Sequence, residues 1–122
     1  MHAEHLEATF GVGPHTISVP RICPAAIFPT NRPSPNAVSD DIFCRIVAII
    51  RIAVPYTGMI VSTRETPASR EKVLELGVSQ LSGGSRTSVG GYVQEETEEN
   101  SAQFDVSDRR SLDEVVGCCL DL

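Results

Sequence analysis

Between Ser39 and Gly77 the sequence marks out a helix, a short apolar run and a second helix, each with start and stop signals. Ser39 suits a helix N-cap, because its hydroxyl can accept a backbone amide that the first turn leaves unpaired. Asp40 and Asp41 then fall at the positive end of the helix dipole. Ile42, Phe43, Ile46, Val47, Ile50, Ala53 and Val54 recur at helical spacing until Pro55 ends the run. Gly58-Met59-Ile60-Val61-Ser62 lacks polar alternation, as expected of a strand covered on both faces. Thr66 and Pro67 supply the cap and first residue of the next helix. Val73, Leu74 and Leu76 give it a core face, and Gly77 terminates it.

The flanks continue this alternation. His2 to Phe10 reads as the end of a helix closed by Gly11 and Gly13. Thr16 to Val19 reads as a strand stopped by Pro20, and the proline-rich stretch from Arg21 to Ala37 as a loop. Val78 to Leu81 is a third strand, Ser82 to Tyr92 a Gly/Ser-rich loop, and Glu95 to Glu99 an acidic surface turn. Ser111-Leu112-Asp113-Glu114 is a capping box that starts a last helix, with Val115, Val116, Cys119 and Leu120 inward. Strands alternating with helices imply right-handed β-α-β units and a parallel sheet, hence an α/β fold. Three such strands leave two bare edges. The expectation is a partial (β/α)8 TIM-type barrel: residues 1–122 as a single fragment carrying about the last three β/α units. A doubly wound sheet is the structural alternative.

Composition narrows the function. Ten basic and 16 acidic side chains leave a net charge of −6, which offers no counterion-release drive toward nucleic acid. No apolar run reaches the roughly 18 residues of a membrane span. The N-terminal residues lack the basic and apolar regions of a signal peptide, so a cytoplasmic location is expected. Cys23, Cys44, Cys118 and Cys119 form neither a disulfide framework nor a C-x-x-C pair, and small buried thiols are the expectation.

In a parallel barrel, chemistry sits at the C-terminal ends of the strands. Arg21 follows the first strand, Thr63-Arg64-Glu65 the second, and Ser82-Gly83-Gly84-Ser85-Arg86 the third. An arginine fork and a serine hydroxyl on neighbouring strands can hold a carboxylate. Alternatively, Arg64 pairs with Glu65 or another carboxylate as a structural ion pair. The small residues from Ser82 to Ser85 could also cradle a phosphate, although no P-loop or dinucleotide fingerprint is present. His15 precedes its strand, at the opposite mouth, where a single histidine is ordinarily structural. His2 and His5 read as solvated.

Several stretches carry a resemblance. They are Gly11-Val12-Gly13-Pro14-His15-Thr16-Ile17-Ser18-Val19-Pro20-Arg21, Ala53 to Ile60, Ser62-Thr63-Arg64-Glu65, Gly77 to Ser82, Gly84-Ser85-Arg86-Thr87 with Gly90-Gly91-Tyr92, Gln103-Phe104, and Asp108 to Glu114. Together these resemble the radical S-adenosylmethionine tyrosine lyases: the [FeFe]-hydrogenase H-cluster maturase and 2-iminoacetate synthase of thiamine biosynthesis. Gly-Pro-His-Thr is closer to the maturase. The resemblance implies a (β/α)8 barrel with a C-terminal extension and cleavage of the Cα–Cβ bond of L-tyrosine to p-cresol and dehydroglycine. It also implies a 4Fe-4S cluster that splits S-adenosylmethionine to a 5′-deoxyadenosyl radical.

By the same resemblance, Arg64 and Ser82 match positions that hold the amino-acid carboxylate, with Arg21, Ser85 and Arg86 as weaker rim candidates. His15 matches a ligand to the extra iron of the maturase's auxiliary cluster. No catalytic residue is assigned. The C-x-x-x-C-x-x-C of the radical-generating cluster and the auxiliary-cluster cysteines are absent from the chain. The expectation is therefore a part of such a lyase, inactive alone, whose partner is the remainder of its own barrel. A phosphate-binding barrel module of another class is the alternative function.

Overall fold

The computed structural model describes residues 1–22, 35–86 and 106–121. Cys23, most of the proline-rich loop, Thr87, Gly90 to Tyr92, the acidic run and Gln103-Phe104 lie outside the described residues.

The element order is α1 (His2–Phe10), β1 (Thr16–Ser18), α2 (Asp40–Ala53), β2 (Gly58–Val61), α3 (Pro67–Glu75), β3 (Gln80–Leu81) and α4 (Leu112–Leu120). Every polar cap read from the sequence forms. The Ser39 side chain accepts from the Ile42 amide, Thr66 from Ser69, and Ser111 from Glu114, whose carboxylate returns to the Ser111 amide at 2.7 Å. Gly11 closes α1 in the left-handed region at φ 76°, where a glycine carries no side-chain penalty.

The strands pair in parallel in the order β1-β2-β3. Ile17 lies opposite Met59, and Val61 opposite Leu81. Side chains alternate across a strand, so this register sorts the two faces. Met59, Val61 and Leu81 meet Phe43 and Val47 of α2, Val73 of α3, and Val78 to form the core. Thr16, Ser18, Ile60 and Gln80 take the other face. The observed β2 burial therefore alternates, with Met59 and Val61 buried and Gly58 and Ile60 half-buried. Its apolar run is covered fully on the helix side alone.

Arg51 locks the far end of α2 to the strands. Its guanidinium donates to the carbonyls of Gly77 (2.9 Å), Pro55 (3.1 Å) and Thr57 (2.9 Å). Gly77 has φ 102°, and a Cβ there would lie 3.0 Å from the Arg51 side chain. Two constraints thus demand glycine at this turn.

Several core assignments change. Ile42 and Ala53 of α2, Leu76 after α3, and Val116, Cys119 and Leu120 of α4 are exposed. Periodicity reports which residues share a helix face, but burial needs a neighbour to cover it. Within α4, only Val115 is buried. The cysteines follow the same rule: Cys44 and Cys118 are half-buried and Cys119 is exposed. The strands are also shorter than their apolar runs, because Val19, Ser62 and Val78 fall outside the paired register.

Candidate functional site

The C-terminal ends of β2 and β3 carry the candidate rim. Arg64 and Ser82 follow these neighbouring strands and are half-buried, as is Ser85, whereas Arg86 is exposed. The Arg64 amide donates to the Ser62 hydroxyl at 3.3 Å, which tightens the turn leaving β2. The Ser82 amide reaches the Val61 carbonyl, so the loop departs directly from the sheet. Gly83 serves packing here: a Cβ would come 3.1 Å from Leu112 of α4. The first turn of α4 thus closes over the glycines that a phosphate cradle would need.

Arg21 follows β1, but its donors are spent inside the protein. Its Nε donates to both Glu65 oxygens (3.0 and 3.1 Å), and Nη2 also pairs with Glu65. Nη1 reaches the Val38 carbonyl at 3.0 Å and Asp40 at 2.7 Å. The guanidinium lies 4.5 Å over the Phe43 ring. The hydrogen bonds that Arg21 donates to Glu65 raise its pKa above the ordinary value, against the effect of burial. Glu65 therefore pairs with Arg21 across the fold.

A second ion network, not anticipated from the sequence, supports the rim. Arg70 of α3 is 1% exposed, and it pairs with Asp108 while donating to the Ser82 carbonyl. The Asp108 amide donates to the Thr63 carbonyl at 2.9 Å, beside Arg64, and the Ser107 amide joins it at 3.0 Å. Arg110 embraces the same carboxylate, with Nη2 at 2.7 Å, and reaches Glu71 at 3.0 Å. Burial pushes the Asp108 carboxyl up, but hydrogen bonds from Arg110 and Arg70 outweigh it and lower it to about 2. Nearby, the Cys118 thiol contacts Glu71 at 3.3 Å, and this carboxylate, aided by burial, raises the thiol's pKa. The sequence did hold a signal for Arg70. A cation three residues before Val73 lies on the core stripe, and a buried cation requires an anion.

At the opposite end of the sheet, His15 is exposed beside the start of β1. Its Nδ1 lies 2.8 Å from the Thr16 hydroxyl, which faces Gln80 Oε1 at 3.5 Å. This polar chain crosses β2 above Gly58. A Cβ at Gly58 would meet Gln80 Nε2 at 3.1 Å, the His15 carbonyl at 3.2 Å and Thr16 Oγ1 at 3.4 Å. With Nδ1 engaged, Nε2 is the nitrogen left to face solvent or a metal ion. The residues fit one metal contact at this mouth. They do not fit an iron–sulfur cluster: among the described residues no group of three or more His, Cys, Asp or Glu side chains could hold a metal ion.

Residues 18–121 match the Biotin and Thiamin Synthesis associated domain. The chain belongs to this family. Within it, the chain is 30% identical over 114 residues to 2-iminoacetate synthase of Salmonella typhimurium, covering 90% of this chain and 29% of that protein. It is 29% identical over 96 residues to 2-iminoacetate synthase of Escherichia coli, covering 75% of this chain and 24% of that protein. Among solved structures, HydG, a maturase of the [FeFe]-hydrogenase, superposes with a TM-score of 0.83 at 53% identity, over 98% of this chain and 25% of that one. The FeFe-hydrogenase maturase HydG from Carboxydothermus hydrogenoformans gives 0.77 at 45% identity, over 98% of this chain and 26% of that one. The three-stranded parallel sheet of this chain matches the HydG fold. The chain spans between about a quarter and three-tenths of the length of these relatives. Among the described residues no helix is long and apolar enough to cross a membrane.

Proposed function

We propose that this chain supplies about three late β/α units of a (β/α)8 barrel in a cytoplasmic radical S-adenosylmethionine lyase, and that this lyase cleaves L-tyrosine to p-cresol and dehydroglycine. The observation that carries the reading is the likeness to hydrogenase-maturase structures over 98% of the chain, with 53% identity in one case. The lower identity to 2-iminoacetate synthase, 30%, favours a parent that serves hydrogenase maturation over one that serves thiamine synthesis. Among the described residues β1 and β3 are edge strands and the core helices α2 and α3 lie on one face of the sheet, which supports a barrel completed by other parts of the protein.

The reaction needs a 4Fe-4S cluster and S-adenosylmethionine to generate the radical, and the described residues offer that cluster no ligand set. This chain's contribution is grip and orientation. The Arg64 guanidinium forks the tyrosine carboxylate, and the Ser82 hydroxyl donates to it from the next strand. Ser85 and Arg86 line the outer rim. Arg21, committed to Glu65, holds the wall behind it. At the far mouth, His15 offers Nε2 to an iron whose other ligands come from elsewhere. A phosphate-binding module is disfavoured by the packing of Leu112 against Gly83.

In the whole lyase, Arg64→Gln and Ser82→Ala should each raise the tyrosine KM for p-cresol formation about tenfold or more. The isolated chain should form no p-cresol and show no iron–sulfur absorbance after reconstitution. Tyrosine-dependent p-cresol from the isolated chain, or an unchanged KM in both variants, would overturn the reading.

A further inference from the structure

Arg64 and Ser82 stand on different strands, so a two-point grip on one carboxylate requires that the two turns keep a fixed separation. Three residues would suffice to set it, and all three are buried. Thr63, beside Arg64, gives its carbonyl to the amides of Ser107 and Asp108. The Asp108 carboxylate pairs with Arg70, and Arg70 donates its other terminal nitrogen to the Ser82 carbonyl. The path runs from the backbone of the β2 turn, through one ion pair, to the backbone of the β3 turn. Thr63, Arg70 and Asp108 are at most 5% exposed, so water does not compete for these contacts.

A buried ion pair is a poor way to gain stability, because desolvating both charges offsets most of their attraction. Here the pair is used at both ends for something else. Asp108 anchors one rim turn through its own amide, and Arg70 anchors the other through its free nitrogen. Arg70 Nε lies buried with no acceptor among the described residues, so the guanidinium is oriented for these two contacts rather than for its own full satisfaction. Arg110, which clasps Asp108 from the solvent side, fixes the rotamer of the carboxylate.

We propose that Arg70 and Asp108 are positioning residues that hold the Arg64 and Ser82 turns at the spacing of an amino-acid carboxylate. The proposal rests on the reading of Arg64 and Ser82 as the carboxylate grip. Neither Arg70 nor Asp108 touches the substrate. Their effect passes entirely through the backbone carbonyls of Thr63 and Ser82. Loss of the brace therefore weakens tyrosine binding in the ground state and the transition state alike, which raises KM and leaves kcat near its original value.

The test is the double variant Arg70→Met/Asp108→Leu in the whole lyase. Apolar side chains of similar volume replace a buried ion pair with little loss of stability, so the fold is kept while the brace is removed. The expected result is a rise in tyrosine KM of about tenfold with kcat within about twofold of the parent. Partial unfolding would do the opposite: it removes active molecules, lowers apparent kcat and leaves KM unchanged. If the double variant does not fold, Arg70→Lys, which keeps the buried charge beside Asp108 but lacks the planar fork that reaches Asp108 and the Ser82 carbonyl together, carries the same expectation with a smaller rise. Arg64→Gln and Ser82→Ala run beside them. A raised KM in those two and an unchanged KM in the brace variants would overturn the positioning role alone. An unchanged KM in Arg64→Gln and Ser82→Ala would overturn the carboxylate reading beneath it.

Discussion

Arg21 forks the carboxylate of Glu65 while its guanidinium lies 4.5 Å over the ring of Phe43. The residue after β1 is thereby tied to the turn before α3 and to the core face of α2. Glu65 is 3% exposed, so its charge depends on this partner.

Arg21→Met should therefore be strongly destabilising, by about 3–5 kcal/mol, because it leaves a buried carboxylate unpaired. Arg21→Met/Glu65→Leu should recover most of that loss. Urea unfolding midpoints of the parent, the single and the double variant decide it. A single variant as stable as the parent would show that the pair is dispensable.

Gly58 is the crossing point of the polar chain at the other end of the sheet. Gly58→Ala places a methyl between Gln80 Nε2 and the His15 carbonyl, at 3.1 and 3.2 Å from them. Crowding of this kind costs about 1–3 kcal/mol. The carbonyl is backbone and cannot yield, whereas the glutamine can. Gln80→Ala in the Gly58→Ala background should therefore restore part of the stability. A thermodynamic cycle over the four proteins measures the coupling, and strictly additive effects would contradict the contact.

The sheet, the helices and their caps were legible in the sequence because each is a local signal. Ser39, Thr66 and the Ser111–Glu114 box announce helix starts through chemistry that acts within four residues. Burial was less legible. Ile42 and Leu120 repeat at helical spacing, yet remain exposed among the described residues, because a neighbour rather than a period buries a side chain. Long-range ion pairing was the least legible. Glu65 adjoins Arg64 in sequence but turns to Arg21, 44 residues away, and Arg70 finds Asp108 38 residues later. Side chains at adjacent positions point apart, whereas three-dimensional proximity brings these partners together.

The Thr16 hydroxyl faces His15 Nδ1 at 2.8 Å and Gln80 Oε1 at 3.5 Å. If its proton goes to the amide oxygen, it must accept from Nδ1–H, which leaves the lone pair on Nε2. Nitrogen-15 NMR of the imidazole at pH 8 should report protonation at Nδ1. Thr16→Val, which keeps the shape and removes the hydroxyl, should abolish that preference. A ring protonated at Nε2 in the parent would reverse the direction of the chain.

Acid should loosen the rim brace in a defined window. The Asp108 carboxyl lies at about 2 in the folded chain, with burial opposing and the Arg110 and Arg70 hydrogen bonds prevailing. An unfolded aspartate titrates near 3.9. A depressed folded pKa means that the stabilisation is fully present above the unfolded value and is lost as pH falls through the folded one. The gap corresponds to roughly 2–3 kcal/mol, with the loss running from about pH 4 to pH 2. Asp108→Asn removes this titration. Unfolding free energies measured between pH 5 and pH 2 should fall more steeply for the parent than for the variant. Parallel slopes would show that the Asp108 carboxyl titrates alike in the folded and unfolded chains.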